Sequence, residues 1–242
     1  MSSTIYHEGF TAQHRIIGRA AAWAVFLIGV VYTVITALGF LSLKSPQDPI
    51  GEPFRSLMEL LILLLLPLMV VSMVAVHAYA RPDAKIYSLT ALGFMILMTG
   101  ISSSVHFVLL TVSPQLEATG LPLVPLLLAW KWPSVAYTLD ILAWDWFFAL
   151  SMLFAAPVFT GGRLEKAVRL LMLVSGVVSL AGLIGVPLGN MQIRDIGIIG
   201  YGVVTPVTFL LLGIVFGRTQ PMPGDVVQSR DPQASNRKVN KT

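Results

Sequence analysis

The chain contains no cysteine, and only 12% of its 242 residues are charged. Without thiols there is no disulfide, no thiolate nucleophile, no cysteine-bound zinc and no iron–sulfur cluster. A soluble domain carries about 25% charged residues, so the shortage of charge excludes an ordinary water-facing surface. The 16 Lys and Arg exceed the 12 Asp and Glu by a net +4. That excess is spread over the loops and predicts no nucleic-acid partner. No internal repeat is visible, so nothing points to a transporter built from inverted repeats. Nucleophile-elbow spacing is absent around Ser102, Ser103, Ser104 and His106, which leaves a serine lipid hydrolase without support.

What is present is apolar sequence, 55% of the chain. Long runs cover about 20–43, 57–80, 86–112, 134–159, 167–188 and 196–217. Each is at least about 20 residues, enough for a hydrocarbon core of about 30 Å at about 1.5 Å per residue. The first run is too long for a signal peptide and is followed by Lys44-Ser-Pro-Gln-Asp rather than a small-residue cleavage site. The expected fold is all-α: a polytopic membrane helical bundle of six transmembrane helices over 1–218, with a polar, disordered cytoplasmic tail over 219–242. Of the 16 basic residues, 12 fall on the side of the two termini and only Lys44, Arg55, Lys131 and Arg194 on the other. The positive-inside rule then puts both termini in the cytoplasm. The expected location is a multi-pass integral membrane protein, of the endoplasmic reticulum or another endomembrane in a eukaryote and of the plasma membrane in a bacterium. Leu121–Trp130 is apolar but only about ten residues long, too short to span. It is expected to lie in the outer interface or dip back as a cap.

Asp140 and Asp145 sit inside the fourth run, among Trp144, Trp146, Phe147 and Phe148. Each carboxylate costs roughly 2.5–3.5 kcal/mol at the centre of a membrane helix, which points to a buried acidic site. Counting from Ser134 on the outer (lumenal or periplasmic) side, Asp140 is about 9 Å deep and Asp145 about 17 Å. His106, on the antiparallel third run, falls level with Asp140, and Glu59 and Tyr201 lie in the same half. At about 100° per residue, Tyr137, Trp144, Phe147 and Ser151 share a face with Asp140. Leu139, Leu142, Trp146, Leu150 and Leu153 form the lipid face. Candidate catalytic residues are therefore Asp140, Asp145, Glu59 and His106, and candidate substrate-binding residues Tyr137, Trp144, Phe147 and Tyr201. No metal or cofactor is called for.

Plainer roles stand beside these. The aspartates could simply hydrogen-bond serines or His106. Arg55, one turn before Glu59, offers it an interfacial ion pair. Arg194 beside Asp195 reads as interfacial, and His77 as an inner-face residue. His77 and His106 lie near opposite faces, so they cannot share one haem.

A carboxylic acid in an apolar pocket is kept protonated and can act as a general acid, while aromatic faces stabilise a developing cation. In size, multi-span layout and membrane-embedded carboxylates, the chain resembles the small integral-membrane terpene cyclases of fungal meroterpenoid pathways, of the ascochlorin and ascofuranone type. Those proteins have seven spans where this chain has six. The resemblance implies an enzyme without metal or redox cofactor that protonates the epoxide of a farnesylated phenol, a lipophilic substrate arriving from the membrane lipid. Asp140, Asp145 and Glu59 would be its acids. The alternative is a proton-coupled small-solute transporter or membrane sensor using the same acids as a relay.

Overall fold

The structure is a computed structural model that describes residues 9–45 and 48–220, so the tail expected over 219–242 lies outside the described residues apart from its first two positions. Among the described residues there is no strand, and six helices are long and apolar enough to cross a membrane. They are α1 (Ala12–Leu41), α2 (Phe54–Tyr79), α3 (Pro82–Thr111), α4 (Val135–Val158), α5 (Arg163–Gly185) and α6 (Met191–Arg218).

Two of the helices that begin earlier than their apolar runs do so on polar caps. Thr11 starts α1 through a reciprocal cap: its Oγ1 accepts the His14 N–H at 3.3 Å, and its own N–H donates to His14 Nδ1 at 3.2 Å. Asn190 starts α6 by accepting the N–H groups of Gln192 and Ile193 at 3.1 and 3.2 Å. Hydropathy cannot register these polar caps. In α6 the cap places Arg194 in the first turn of the helix.

Each helix packs on its neighbour in the chain, and α6 closes the ring on α1. The inward face of α1 carries Gly18, Ala21, Ala22, Val25 and Gly29, while Ile16, Leu27, Val30, Val34 and Leu38 are exposed on the other side. Small residues let backbones approach where lipid removes the hydrophobic drive between helices. Gly18 thus sits against Ala75 and Phe216, and Gly29 against Pro206.

The end of the bundle that carries Arg15, Arg81, Arg163 and Arg218, here called the basic end, is sealed by aromatic rings. Phe10 meets Tyr79 edge-on at 5.5 Å and stacks on Phe216 at 5.7 Å, and Tyr79 stacks on Phe159 at 5.7 Å. Met73, Met95, Met98 and Met152, all fully buried, fill the axis beyond it. This half is held by close dispersion contacts. The opposite half is where polar groups gather.

Two stretches depart from α geometry. Leu142–Phe148 in α4 and Ile199–Val204 in α6 are π-helical. A π turn takes one residue more than an α turn, so it shifts the face on which later side chains emerge.

Candidate functional site

The first of these stretches carries Trp144 and Asp145, and the second carries Tyr201. They face one another, with the Trp144 and Tyr201 rings 5.3 Å apart. Trp144 is oriented by its indole N–H, which donates to Ser102 Oγ on α3 at 3.1 Å. Between these elements and α1 and α2 lies a cavity of about 200 Å³. His106, Tyr137, Asp140, Trp144, Arg194 and Tyr201 form its polar and aromatic wall, and Val25, Ile62, Leu65 and Met69 its aliphatic wall.

His106 is 5% exposed and is held between two carboxylates. Its Nδ1 is 2.5 Å from Glu59 Oε2, and its Nε2 is 3.4 Å from Asp140 Oδ1. The second contact is within ion-pair range but lacks hydrogen-bond alignment, and Asp140 Oδ1 is a buried atom with no hydrogen-bond partner among the described residues. Glu59 stands behind the imidazole, away from the cavity, while Asp140 is on the wall. The two acids meet opposite nitrogens of the ring and so do not converge on one point. No group of three His, Asp or Glu among the described residues is placed to share an ion.

Asp145 is also behind the wall, fully buried, where Arg194 Nη2 donates to its Oδ2 at 3.0 Å. The same guanidinium donates from Nη2 to Tyr201 Oη at 2.8 Å and from Nη1 to Tyr137 Oη at 3.2 Å. Close packing of α5 on α6 makes this geometry available. A side chain at Gly185 would strike the backbone of Asn190 and Arg194, and one at Gly197 would strike Asp145 Oδ1.

The charge balance is uneven. Arg194 matches Asp145, but Glu59 and Asp140 share a single imidazole.

Of the expected residues, His106, Tyr137, Asp140, Trp144 and Tyr201 meet at the cavity, and Glu59 and Asp145 back it. Phe147 is a correction: its ring stacks on Phe94 at 6.3 Å, outside the cavity. Phe148 backs the wall instead, 5.6 Å from Trp144 and 6.4 Å from Tyr201. The extra residue of the π turn is the reason, since it moves the next position onto the inward face. Arg55 does not pair with Glu59; it reaches across to Glu117, with Nη1 and Nη2 donating at 3.1 and 2.9 Å. Arg194 is not interfacial but 2% exposed.

Three wall elements escaped the sequence reading. Arg194 is the first. Trp130, from the short apolar segment, is the second. It packs on His106 at 5.6 Å and edge-on to Tyr137 at 5.5 Å, and Ser134 Oγ ties its neighbour Ala129 to the start of α4 at 2.5 Å. The expected cap thus closes the site. The third is α1, through Val25, Gly29, Tyr32 and Thr33. On α6, α1 packs along Thr205–Arg218 and far less along Ile199–Val204. Thr33, Ile198 and Gly202 on the cavity rim are exposed, so the cavity opens sideways between the two helices.

Compared with known proteins, the chain matches no family model, no curated protein and no solved structure.

Proposed function

We propose that the chain is a multi-pass membrane terpene cyclase that protonates the epoxide of a prenylated (farnesyl epoxide) aromatic substrate and so starts carbocation cyclisation. The observation that carries this reading is the pairing of His106 and Asp140 on the cavity wall, with Glu59 behind the imidazole completing the trio, in a lining that is mainly aromatic and aliphatic apart from Arg194 and two threonines. An embedded imidazole between two carboxylates can deliver a proton and take one back. Asp140, on the wall, is the donor side of the trio, and Glu59 orients the ring from behind. Asp145 is removed from the donor role by its bond to Arg194.

The steps balance without a cofactor. A proton passes to the epoxide oxygen, the C–O bond to the more substituted carbon breaks, and its electrons remain on oxygen as a hydroxyl. The π electrons of the neighbouring alkene then form a C–C bond to the cationic carbon. The last cation returns a proton to the trio, so the product is an isomer of the substrate. The faces of Trp144 and Tyr201 offer the cation quadrupolar stabilisation. Pockets for whole ligands of drug size measure about 300–1,000 Å³. A cavity of about 200 Å³ accordingly suits the reacting end, with the remainder in the sideways opening toward lipid.

The transport reading is less well supported. Between the cavity and the basic end, Met73, Met95, Met98 and Met152 fill the axis among the described residues. Two of the hydroxyls there are spent on backbone carbonyls, Ser72 on Leu68 and Ser151 on Ala91, both at 2.8 Å. The charge asymmetry further supports cytoplasmic termini; reporters fused at Thr242 and near Gln115 are expected to read opposite compartments. The reaction is tested by giving membranes that contain the protein a farnesyl-phenol epoxide. Formation of a cyclic isomer of unchanged mass is expected, and untouched substrate overturns the proposal.

A further inference from the structure

Arg194 does more in this cavity than neutralise Asp145. Both phenol oxygens on the wall, Tyr137 Oη and Tyr201 Oη, accept from its guanidinium. Each hydroxyl therefore has its own proton left to give, and neither has an acceptor within hydrogen-bond distance among the described residues. Both side chains line the same cavity. Accepting from a cation polarises an O–H group and strengthens it as a donor. Across the same wall stands Asp140, whose buried Oδ1 has no hydrogen-bond partner. Two half-buried phenol donors and one buried carboxylate oxygen are grouped on one wall with Arg194 and His106, opposite the aliphatic wall. Buried polar groups left unmatched are unfavourable, which argues for a ligand atom that completes them.

We infer that this cavity seats one uncharged oxygen of a lipophilic ligand, an epoxide or hydroxyl oxygen, with Tyr137 and Tyr201 donating to it and Asp140 facing it. Arg194 is a positioning residue, acting on the ligand through the two phenols. An epoxide oxygen fits before protonation and the hydroxyl it becomes fits afterward, since that hydroxyl can donate to the carboxylate that lost the proton. A plain polyene offers the donors nothing. The ligand class is thus the oxygen-terminated isoprenoid or lipid, entering between α1 and α6, and not the hydrocarbon. The inference rests on the cavity being the substrate site of the proposed reaction, but it is read by binding and needs no turnover.

The test uses the full chain in phosphatidylcholine nanodiscs, with empty nanodiscs as the reference so that partitioning into lipid cancels. The probes are 1,2-epoxydodecane, 1-dodecanol and dodecane, which share a saturated tail and cannot cyclise. Binding is read from tryptophan fluorescence, because Trp130 and Trp144 line the cavity. The epoxide and the alcohol are expected to bind at least about tenfold more tightly than dodecane, the effect of one to two retained hydrogen bonds. The single variants Tyr137→Phe and Tyr201→Phe are each expected to lose part of that preference, and the double variant all of it, with dodecane affinity unchanged. Equal binding of the three probes to the wild type overturns the inference, as does a preference that survives in the double variant. A preference that holds while the farnesyl-phenol epoxide is not cyclised leaves the oxygen seat standing and removes the cyclase reading alone.

Discussion

Arg194 and Asp145 meet at 3.0 Å inside the bundle, one 2% exposed and the other fully buried, on two helices whose π-helical stretches face each other. The pair fixes the start of α6 against the middle of α4. It also separates the two aspartates, since Asp145 accepts from Arg194 behind the wall while Asp140 stands on the cavity wall beside His106.

Breaking such a pair from one side leaves a buried charge uncompensated, at about 3–5 kcal/mol. Asp145→Ala and Arg194→Met are each expected to lower the unfolding temperature in detergent sharply. The double variant Asp145→Leu with Arg194→Met should recover most of the loss, since it removes both charges. Additive losses in that thermal-unfolding cycle would show that the two side chains are not coupled.

The π stretch in α4 makes a sharper distinction between adjacent phenylalanines. Phe148 stands against Trp144 and Tyr201, whereas Phe147 stands against Phe94. Trp144→Ala, on the cavity wall, and Phe148→Leu, behind Trp144 and Tyr201, are expected to change the ratio of cyclised products, because they remove or shift the rings that face the cation. Phe147→Leu should leave the ratio as it is and lower stability by about 0.5–1.5 kcal/mol, in line with a modest change in packed volume. Product ratios by mass spectrometry and melting curves on the same three variants decide the matter.

At the end opposite the basic one, Arg55 grips Glu117 with both guanidinium nitrogens, and Ser113 Oγ also donates to that carboxylate at 2.7 Å. The Arg55 hydrogen bonds hold the Glu117 carboxyl below the usual glutamate range, against a smaller opposing effect of burial. A carboxyl depressed in the folded state contributes stability that is fully present above its unfolded value and is lost as the pH falls through the folded one. The side chains are 29% and 44% exposed, so solvent screening keeps the contribution within about 1 kcal/mol. Stability is expected to fall by that much between about pH 5 and the acid end of the titration. Glu117→Gln should flatten that part of the pH profile in a melting series.

Much of the site was legible because helix phase and depth are simple arithmetic. Those two quantities brought Asp140 level with His106 and put Tyr137 and Trp144 on its face, and the structure has His106 3.4 Å from Asp140. The same arithmetic misplaced Phe147, since it assumes a constant turn and nothing in Leu-Ala-Trp-Asp-Trp-Phe-Phe marks a π turn. Glu59 found its partner 47 positions away and Arg55 found one 62 away, and local spacing cannot foresee contacts made by folding. Arg194 was hidden by a hydropathy run that begins after it. The Asn190 cap, with Gly185 and Gly197 flanking it, was the signal that an earlier helix start and a close approach to α5 were available.

The central claim is that the trio at His106 supplies a proton through Asp140. Its most direct test is the rate at which membranes carrying wild-type protein or Asp140→Asn convert a farnesyl-phenol epoxide to a cyclic isomer, followed by chromatography and mass spectrometry. Asparagine keeps the size and polarity of the side chain and removes the acid, so membrane expression should persist. The account predicts a fall of roughly 10²–10⁴-fold, the contribution of general acid catalysis. An Asp140→Asn protein that cyclises at the wild-type rate would contradict it and leave Asp140 a structural partner of His106.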